Sequence, residues 1–258
     1  MSEVTTENAG RTRLITINRP EARNSLTLTV LASLREAFAA ASVDPEARVV
    51  VLSGAGGHFC AGADLRKNME DPRLMERTDD YMDEFHSVIK AIVECPKPVI
   101  AMMDGAAVGF GADMALACDL RIASTSAYVQ EKFVSIGLMP DGGGSFWLPR
   151  LVGTARAMQW ILLAEKIDAQ ALAAHGVVTS VVAPESLRDA TLALAKRLES
   201  GPPMAYAAIK RSVYASWGSY VDALARERAE QLKLLHSQDV MEGVLAWMQK
   251  REPNFTGK

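Results

Sequence analysis

The chain has 258 residues, 49% of them hydrophobic, and a formal net charge of −3 at pH 7, and it is long enough to bury a sizeable core as one large domain or one domain with an appendage. The near-balanced charge does not indicate a nucleic-acid partner, and the three cysteines and four histidines show no disulfide or metal-ligand spacing. The polar N-terminus and the lack of any apolar run of about 20 residues predict no membrane span, and we expect a cytoplasmic protein.

Apolar runs typical of strands alternate with helical spacings up to residue 182. We predict strands at 14–17, 49–52, 99–103, 120–123 and 177–182. We predict helices at 28–41, 81–94, 112–118, 154–164 and 169–175, and a second group at 187–198, 203–217, 220–236 and 241–250. Residues 66–78 are charged and weakly periodic, which predicts a loop or a frayed helix. Alternating elements followed by helices predict an α/β fold with several parallel strands and a C-terminal helical region.

The stretch 98–119, PVIAMMDGAAVGFGADMALACD, is the centre of this interpretation. Its apolar start predicts a strand buried on both faces, which stops at a glycine turn and continues as a helix rich in Ala, Met and Leu. A helix that begins directly after such a turn has N–H groups without intrahelical acceptors. Those groups and the positive end of the helix dipole suit a site where negative charge develops, such as an enolate oxygen.

Two segments carry a resemblance to a known family: HFCAGADL (58–65) and DGAAVGFGADMALACDLRIAS (104–124). They resemble the two oxyanion-hole segments of the enoyl-CoA hydratase/isomerase (crotonase) superfamily. Three further segments occur in family order, namely NRPEARNSL (18–26), IGLMPDGGGSFWLPRLVG (136–153) and EGVLAWMQKREPNF (242–255). The likeness covers essentially the whole chain. Within the family, the segment MPDGGG resembles the G-L-x-P-D-x-G motif of the isomerases of phenylacetate degradation.

The resemblance implies a spiral of ββα turns over residues 1–195 that binds acyl-CoA, followed by helices over 196–258 that form a homotrimer or a dimer of trimers. It also implies a coenzyme A thioester as the substrate and no separate cofactor. In this family the thioester carbonyl accepts two backbone N–H groups, and the matching residues here are Ala63 and Phe110. Fixed N–H dipoles aimed at a developing enolate stabilise it without reorganisation. Because the donors are backbone groups, a phenylalanine at position 110 is compatible with the hole.

The acid and the base are assigned by the same resemblance. The first glutamate of the family's hydratases matches Asp113, and the second matches Phe133, which cannot move protons. Glu131 would share a face with Phe133 if that segment is extended. Asp141 matches the aspartate proposed as the proton shuttle of the isomerases. Two simpler interpretations stay open, because Pro-Asp-Gly is itself a turn signal and an aspartate near a helix start is favoured by the dipole.

These assignments favour an isomerase in which Asp141 moves the proton and Asp113 assists. The first alternative is an enoyl-CoA hydratase that uses Asp113 with Asp141 or Glu131. A decarboxylase or hydrolase of acyl-CoA stays open, because the same oxyanion hole serves these reactions. A remoter alternative is a non-catalytic subunit that binds acyl-CoA.

Binding residues are implied for both ends of the substrate. The positions matched to coenzyme A, the last two in the C-terminal tail of the same or a neighbouring subunit, are Arg23, Ala61, Asp64, Leu65, Arg66, Trp247 and Lys250. The side chains expected to line the acyl pocket are Met114, Glu131, Phe133 and Met139. Arginine and lysine near the entrance would hold the coenzyme A phosphates. No residues are assigned to a metal ion.

Overall fold

Two sheets and a set of helices make up the computed structural model, which describes residues 2–71, 76, 78–215 and 220–254. The described strands are β1 Val4–Ala9, β2 Thr12–Ile17, β3 Val49–Gly54, β4 Val99–Met103, β5 Ala106–Val108, β6 Leu120–Ser124, β7 Tyr128–Gln130, β8 Ile167–Asp168 and β9 Ser180–Val182. The described helices are α1 Leu28–Val43, α2 Leu65–Asn68, α3 Thr78–Glu94, α4 Phe110–Ala117, α5 Gly144–Val152, α6 Thr154–Leu162, α7 Ala169–Ala174, α8 Leu187–Glu199, α9 Pro203–Ala215, α10 Tyr220–Leu235 and α11 Gln238–Gln249.

The larger sheet has the strand order β1-β2-β3-β4-β6-β9, in which β1 is antiparallel to β2 and the other pairs are parallel. The smaller sheet pairs β5 with β7 in parallel and β7 with β8 antiparallel. Only Asp104 and Gly105 separate β4 from β5. The chain therefore leaves the larger sheet and pairs within the smaller one just before α4 begins.

Strand β3 is buried on both faces, as its unbroken apolar run predicts. Val50 and Leu52 belong to the main core, whereas Val49 and Val51 pack into a second cluster that α8 covers with Leu187 and other side chains. Burying one such side chain contributes about 1.5–3 kcal/mol. Burial on both faces therefore fixes this strand in the middle of the sheet.

The predicted α/β fold with parallel strands and a C-terminal helical region is confirmed, and each predicted strand and helix corresponds to an observed one with small differences at its ends. β1, β5, β7, β8 and α5 were not predicted. Four of the six residues of β1 are exposed, so its sequence carries no apolar alternation, and the other three strands have two or three residues each. Helix α5 contains Pro149 and starts at Gly144, and both residues are typical of turns.

The predicted loop or frayed helix at 66–78 begins as the helical turn α2. Asp64 caps this turn, because its Oδ1 accepts a hydrogen bond from the Lys67 amide at 3.3 Å. Residues 72–75 and 77 lie outside the described residues, as do 216–219 and 255–258, so the predictions for these positions stay predictions. Helix α3 then starts at Thr78.

The C-terminal helices pack on the body of their own chain. In α9, the Lys210 ammonium lies 2.8 Å from Asp119 Oδ2, and the Tyr214 hydroxyl donates to Asp119 Oδ1 at 2.8 Å. Helix α11 packs so closely on the 3₁₀ turn Phe133–Ile136 that a Cβ at Gly243 would lie 2.7 Å from Ile136 Cα. The predicted division between residues 195 and 196 falls inside α8 and stays a prediction. None of the helices in the described ranges is both long and apolar enough to cross a membrane.

Candidate active site

Residues 60–63 run beside β5 and bring the two glycine-containing segments together. The Cys60 amide donates to the Ala106 carbonyl at 2.8 Å, and the Val108 amide donates to the Cys60 carbonyl at 2.9 Å. These two hydrogen bonds form a parallel bridge between the segments. The bridge holds the end of the first segment against the start of α4.

The backbone amides of Ala63 and Phe110 lie at this junction. Gly62 has a φ of +87°, and a Cβ on it would lie 2.8 Å from the Val108 carbonyl oxygen and 3.6 Å from the Phe110 amide nitrogen. Phe110 is the first residue of α4 and follows Gly109, whose φ is +53°. Among the described residues, neither the Ala63 nor the Phe110 N–H has a hydrogen-bond acceptor. Both amides are therefore free to donate to a ligand.

Four acidic side chains are buried close to the starts of α4 and α5: Asp113, Glu131, Asp141 and Glu227. Asp113 Oδ2 accepts a hydrogen bond from the Gly142 amide at 2.9 Å. A Cβ on Gly144 would lie 2.6 Å from Asp113 Oδ1 and 3.1 Å from Glu131 Oε1, so these two carboxyl groups crowd the same point. In the described part of the chain, Asp113 Oδ1 and both oxygens of Glu131 are buried without a hydrogen-bond partner.

Burial and mutual repulsion raise the pKa values of Asp113, Glu131 and Asp141. Burial, then the charges of Glu131, Glu227 and Asp141, raise the pKa of Asp113 well above its ordinary value. Burial also raises the pKa of Glu131, again with Glu227 and Asp141 contributing. The pKa of Asp141 is raised to about 7, chiefly by burial. At neutral pH Asp141 is thus the acid best placed both to give and to take a proton.

Asp141 is held by two side-chain contacts, one to its carboxyl group and one to its backbone carbonyl. The Gln231 side-chain amide donates from Nε2 to Asp141 Oδ2 at 2.8 Å, and the His86 ring donates from Nε2 to the Asp141 carbonyl oxygen at 2.8 Å. Burial lowers the pKa of His86 to about 4, so the ring is neutral at pH 7. Asp141 Oδ1 is buried and has no partner among the described residues. One oxygen of this carboxyl is therefore fixed and the other is available.

Sequence reasoning missed Glu227 and Gln231, which lie one turn apart on α10. Glu227 accepts hydrogen bonds from the Gly143 amide at 2.7 Å and from the Ser145 amide at 3.1 Å, and it also accepts from the Ser145 hydroxyl. Both residues are about 1% exposed, on the same helix face as the buried Leu224. Polar residues that continue a buried apolar stripe were the available signal, because buried polar groups need partners.

The residues matched to coenzyme A are only partly brought together. The Arg66 guanidinium carbon lies 5.8 Å from the centroid of the Trp247 ring of the same chain. The Ala61 amide donates to the Arg23 carbonyl at 3.0 Å, and the Arg23 side chain is exposed. The Asp64 carboxylate is engaged by Arg19 Nη2 at 2.9 Å. Leu65 opens α2, and Lys250 is exposed at the end of α11.

Of the residues expected in the acyl pocket, Met114, Phe133 and Glu131 lie at or beside α4, whereas Met139 contacts Gln231. Met114 is fully buried within α4, and Phe133 lies beside the α4 start, since a Cβ on Gly109 would be 3.7 Å from its Cζ. Glu131 does not share an extended face with Phe133, because Phe133 begins a 3₁₀ turn; Glu131 instead reaches Asp113. The Met139 amide donates to Gln231 Oε1 at 3.2 Å, and its side chain is half-buried.

Comparison with known proteins gives a consistent set of relatives. The family model described as enoyl-CoA hydratase/isomerase matches residues 7–258. The chain is 41% identical to a protein of Rhodobacter capsulatus named a probable enoyl-CoA hydratase, and 36% identical to the 1,2-epoxyphenylacetyl-CoA isomerase of Escherichia coli, with 95% of this chain and 94% of each relative covered. A crystal structure described as an enoyl-CoA hydratase from Mycobacterium avium subsp. paratuberculosis superposes with a TM-score of 0.90 at 37% identity, covering 99% of both chains.

Proposed function

The chain belongs to the enoyl-CoA hydratase/isomerase family and has its crotonase fold, and we propose that it is an isomerase that moves the double bond of an enoyl-CoA thioester. The observation that carries this proposal is the setting of Asp141. Its carboxyl has one oxygen held by Gln231, one oxygen free, and a pKa raised to about 7. A single carboxyl that titrates near neutral pH suits a proton shuttle.

In the proposed mechanism the thioester carbonyl accepts hydrogen bonds from the Ala63 and Phe110 amides. Asp141 Oδ1 removes a proton from C2 of a 3-enoyl-CoA, and the electron pair moves into a dienolate whose oxygen these amides stabilise. The protonated Asp141 then returns the proton to C4, and the double bond forms between C2 and C3. No atom is gained or lost. One oxyanion-hole donor is typically worth about 3 kcal/mol of the barrier.

Asp113 assists by holding the catalytic loop. Burial raises its pKa well above the ordinary value, and its Oδ2 accepts a hydrogen bond from the Gly142 amide next to Asp141. Phe133 at the second hydratase position supports the isomerase over the hydratase, since a phenyl ring cannot activate water.

A hydratase is the second candidate, and a specific observation favours it. The carboxyl groups of Asp113 and Glu131 converge on one point beside Gly144, where two acids could hold a water molecule. The relative from Rhodobacter capsulatus is also named as a hydratase. In this alternative the acid pair, rather than Asp141 alone, carries the chemistry.

Coenzyme A binding and assembly complete the proposal. We assign the coenzyme A phosphates to Arg23, Arg66 and Lys250, and this binding would weaken with rising salt. The Arg66–Trp247 contact supports a binding surface made within one chain. A homotrimer or a dimer of trimers remains the proposed assembly, supported by exposed apolar side chains on α6 and α9 such as Leu162 and Met204.

The test is a pair of assays on the purified protein with a 3-enoyl-CoA and, separately, crotonyl-CoA, followed by thioester-conjugation absorbance and by mass. We expect the 3-enoyl-CoA to gain conjugation at constant mass, and Asp141→Asn to abolish this. If crotonyl-CoA instead gains the mass of water in a reaction that needs Asp113, the hydratase is correct. A bound acyl-CoA that exchanges no deuterium at C2 would indicate the non-catalytic subunit.

A further inference from the structure

Helix α10 lies in the region assigned to assembly. Two of its side chains nevertheless form hydrogen bonds with the loop that carries Asp141, one before and one after that residue. Glu227 binds the loop after Asp141 through the Gly143 amide at 2.7 Å and the amide and hydroxyl of Ser145. Gln231, one helical turn later, binds the loop before Asp141 and Asp141 itself. Both side chains are about 1% exposed. Helix α10 thus positions the loop that carries Asp141.

The side-chain amide of Gln231 uses both of its ends. Nε2 donates to Asp141 Oδ2 at 2.8 Å, and Oε1 accepts from the Met139 amide at 3.2 Å. If the amide were rotated by 180°, its NH₂ group would face the Met139 N–H, which is also a donor, and its oxygen would face Asp141 Oδ2, which is also an acceptor. The amide therefore has one orientation. A carboxylate or an apolar side chain could not satisfy both contacts at neutral pH.

We propose that Gln231 is a positioning residue that fixes Asp141 Oδ2, leaves Oδ1 as the oxygen that moves the proton, and stabilises the ionised carboxylate. This inference rests on the proposed role of Asp141. A hydrogen bond donated to a carboxylate favours its charged form. Gln231 therefore sets the pH at which the shuttle can accept a proton, and it does so from a helix that the sequence assigned to assembly.

Gln231 is the side chain that lowers the pKa of Asp141, and burial and Glu227 oppose it. The pKa of Asp141 is raised to about 7 by the balance of four effects. Burial raises it most, the Gln231 hydrogen bond lowers it, the charge of Glu227 raises it, and the backbone amide of Asp141 lowers it. The titratable groups that face Asp141 from the surrounding elements are Tyr81 and His86 of α3, Asp113 of α4, Glu131 after β7 and Glu227 of α10. None of these groups replaces the donor that Gln231 supplies to Oδ2.

The test is the pH profile of kcat/KM for isomerisation of a 3-enoyl-CoA by the whole protein and by Gln231→Leu. Loss of a hydrogen bond to a carboxylate should move the acidic limb to higher pH by roughly one unit or more, which lowers the rate on that limb about tenfold. The high-pH plateau should be retained. Gln170→Leu makes the same change at an exposed position of α7 and should leave the profile unmoved. A purely structural role for Gln231 would instead lower the rate equally at every pH.

A second variant at the same position tests the proposal independently in case Gln231→Leu does not fold. Gln231→Glu keeps the side-chain volume and, once ionised, sets a like charge beside Asp141, which should also move the acidic limb upward. Loss of activity in Asp141→Asn together with an unmoved limb in both Gln231 variants would overturn this inference alone. Full activity in Asp141→Asn would overturn the proposed function as well.

Discussion

Asp113 and Glu131 are buried, so their carboxyl oxygens are removed from solvating water. Three of these four oxygens also lack a hydrogen-bond partner within the described residues. A buried charge in this state is costly, so burial raises the pKa of both groups well above the ordinary values. Each native carboxyl then binds its proton more tightly than the same carboxyl does in the unfolded chain. The site is therefore assembled at the expense of stability at neutral pH.

We predict that Asp113 makes the free energy of unfolding fall as pH rises above about 4, because the acid ionises there in the unfolded chain while native Asp113 holds its proton to higher pH. The slope is about 1.4 kcal/mol per pH unit for each such carboxyl. Asp113→Asn keeps an acceptor for the Gly142 amide but removes one titration, so its slope should be shallower by about that amount. Urea unfolding between pH 5 and 7 measures both slopes, and equal slopes would contradict the prediction.

A substitution at Gly62 tests the proposed oxyanion hole through its effect on kcat. A Cβ there would lie 2.8 Å from the Val108 carbonyl oxygen, so Gly62→Ala must move the backbone next to the Ala63 amide. We expect kcat to fall about 100-fold or more, as for loss of one oxyanion-hole donor. Gly176→Ala is the matched control, since Gly176 has a φ of +69° and nothing within 4 Å of its Cβ position. Comparable losses of kcat in both variants would show that backbone strain alone is responsible.

At the scale of elements, α10 and α5 depend on one another. Helix α5 begins at Gly144 after Gly143, which has no side chain to cap it. Glu227 of α10 accepts from the Ser145 amide, as a capping side chain would, and also from the Gly143 amide. The carboxylate also lies at the positive end of the α5 dipole. A contact between residues more than 80 positions apart replaces a local cap.

We predict that Glu227→Ala lowers the free energy of unfolding by about 2–4 kcal/mol, because it leaves buried donors of Gly143 and Ser145 unsatisfied. Glu230→Ala, an exposed acid on the same helix whose ion pair is with Lys233, should cost less than about 1 kcal/mol. Urea unfolding of the two variants at pH 7 provides the comparison. Similar losses in both would mean that α10 contributes through helix propensity alone.

The sequence predicts the elements that carry their own pattern. Strand β3 is apolar on both faces over residues 49–52, so its place in a buried parallel sheet could be predicted from these residues alone. Strand β1 could not be predicted, since it is held by its ladder with β2 while most of its side chains are exposed. Helix α5 could not either, because its cap comes from Glu227, far away in the sequence.

The same distinction applies to the candidate site. Asp113 and Asp141 stand in motifs that a resemblance can match, and the structure places Asp113, the loop of Asp141 and the start of α4 together. Gln231 and Glu227 stand in no motif. Their relation to Asp141 is created by the packing of α10 on α5, which local sequence patterns do not encode.

At the scale of the whole molecule, the groups around Asp141 come from elements far apart in the sequence. His86 lies on α3, Gln231 and Glu227 lie on α10, and the neighbouring helix α9 is held by the Lys210–Asp119 ion pair. In the proposed trimer, the proton-moving role would stay with Asp141 of each chain. The C-terminal helices thus have a buried face that contacts the Asp141 loop and an exposed face that the proposed assembly would use.

We therefore predict that a charge on the exposed face of α9 disrupts the proposed assembly but lowers kcat per chain only slightly. Met204 is 85% exposed, so Met204→Glu should leave the fold intact while it disrupts an apolar contact between copies. Light scattering should show a smaller particle, and kcat per chain with a saturating 3-enoyl-CoA should stay within about tenfold of the unaltered protein, a loss below the 100-fold expected for an oxyanion-hole donor. A kcat that falls in step with the loss of assembly would show that a neighbouring copy completes the site, because nothing within the Met204→Glu chain alters the contacts of Asp141.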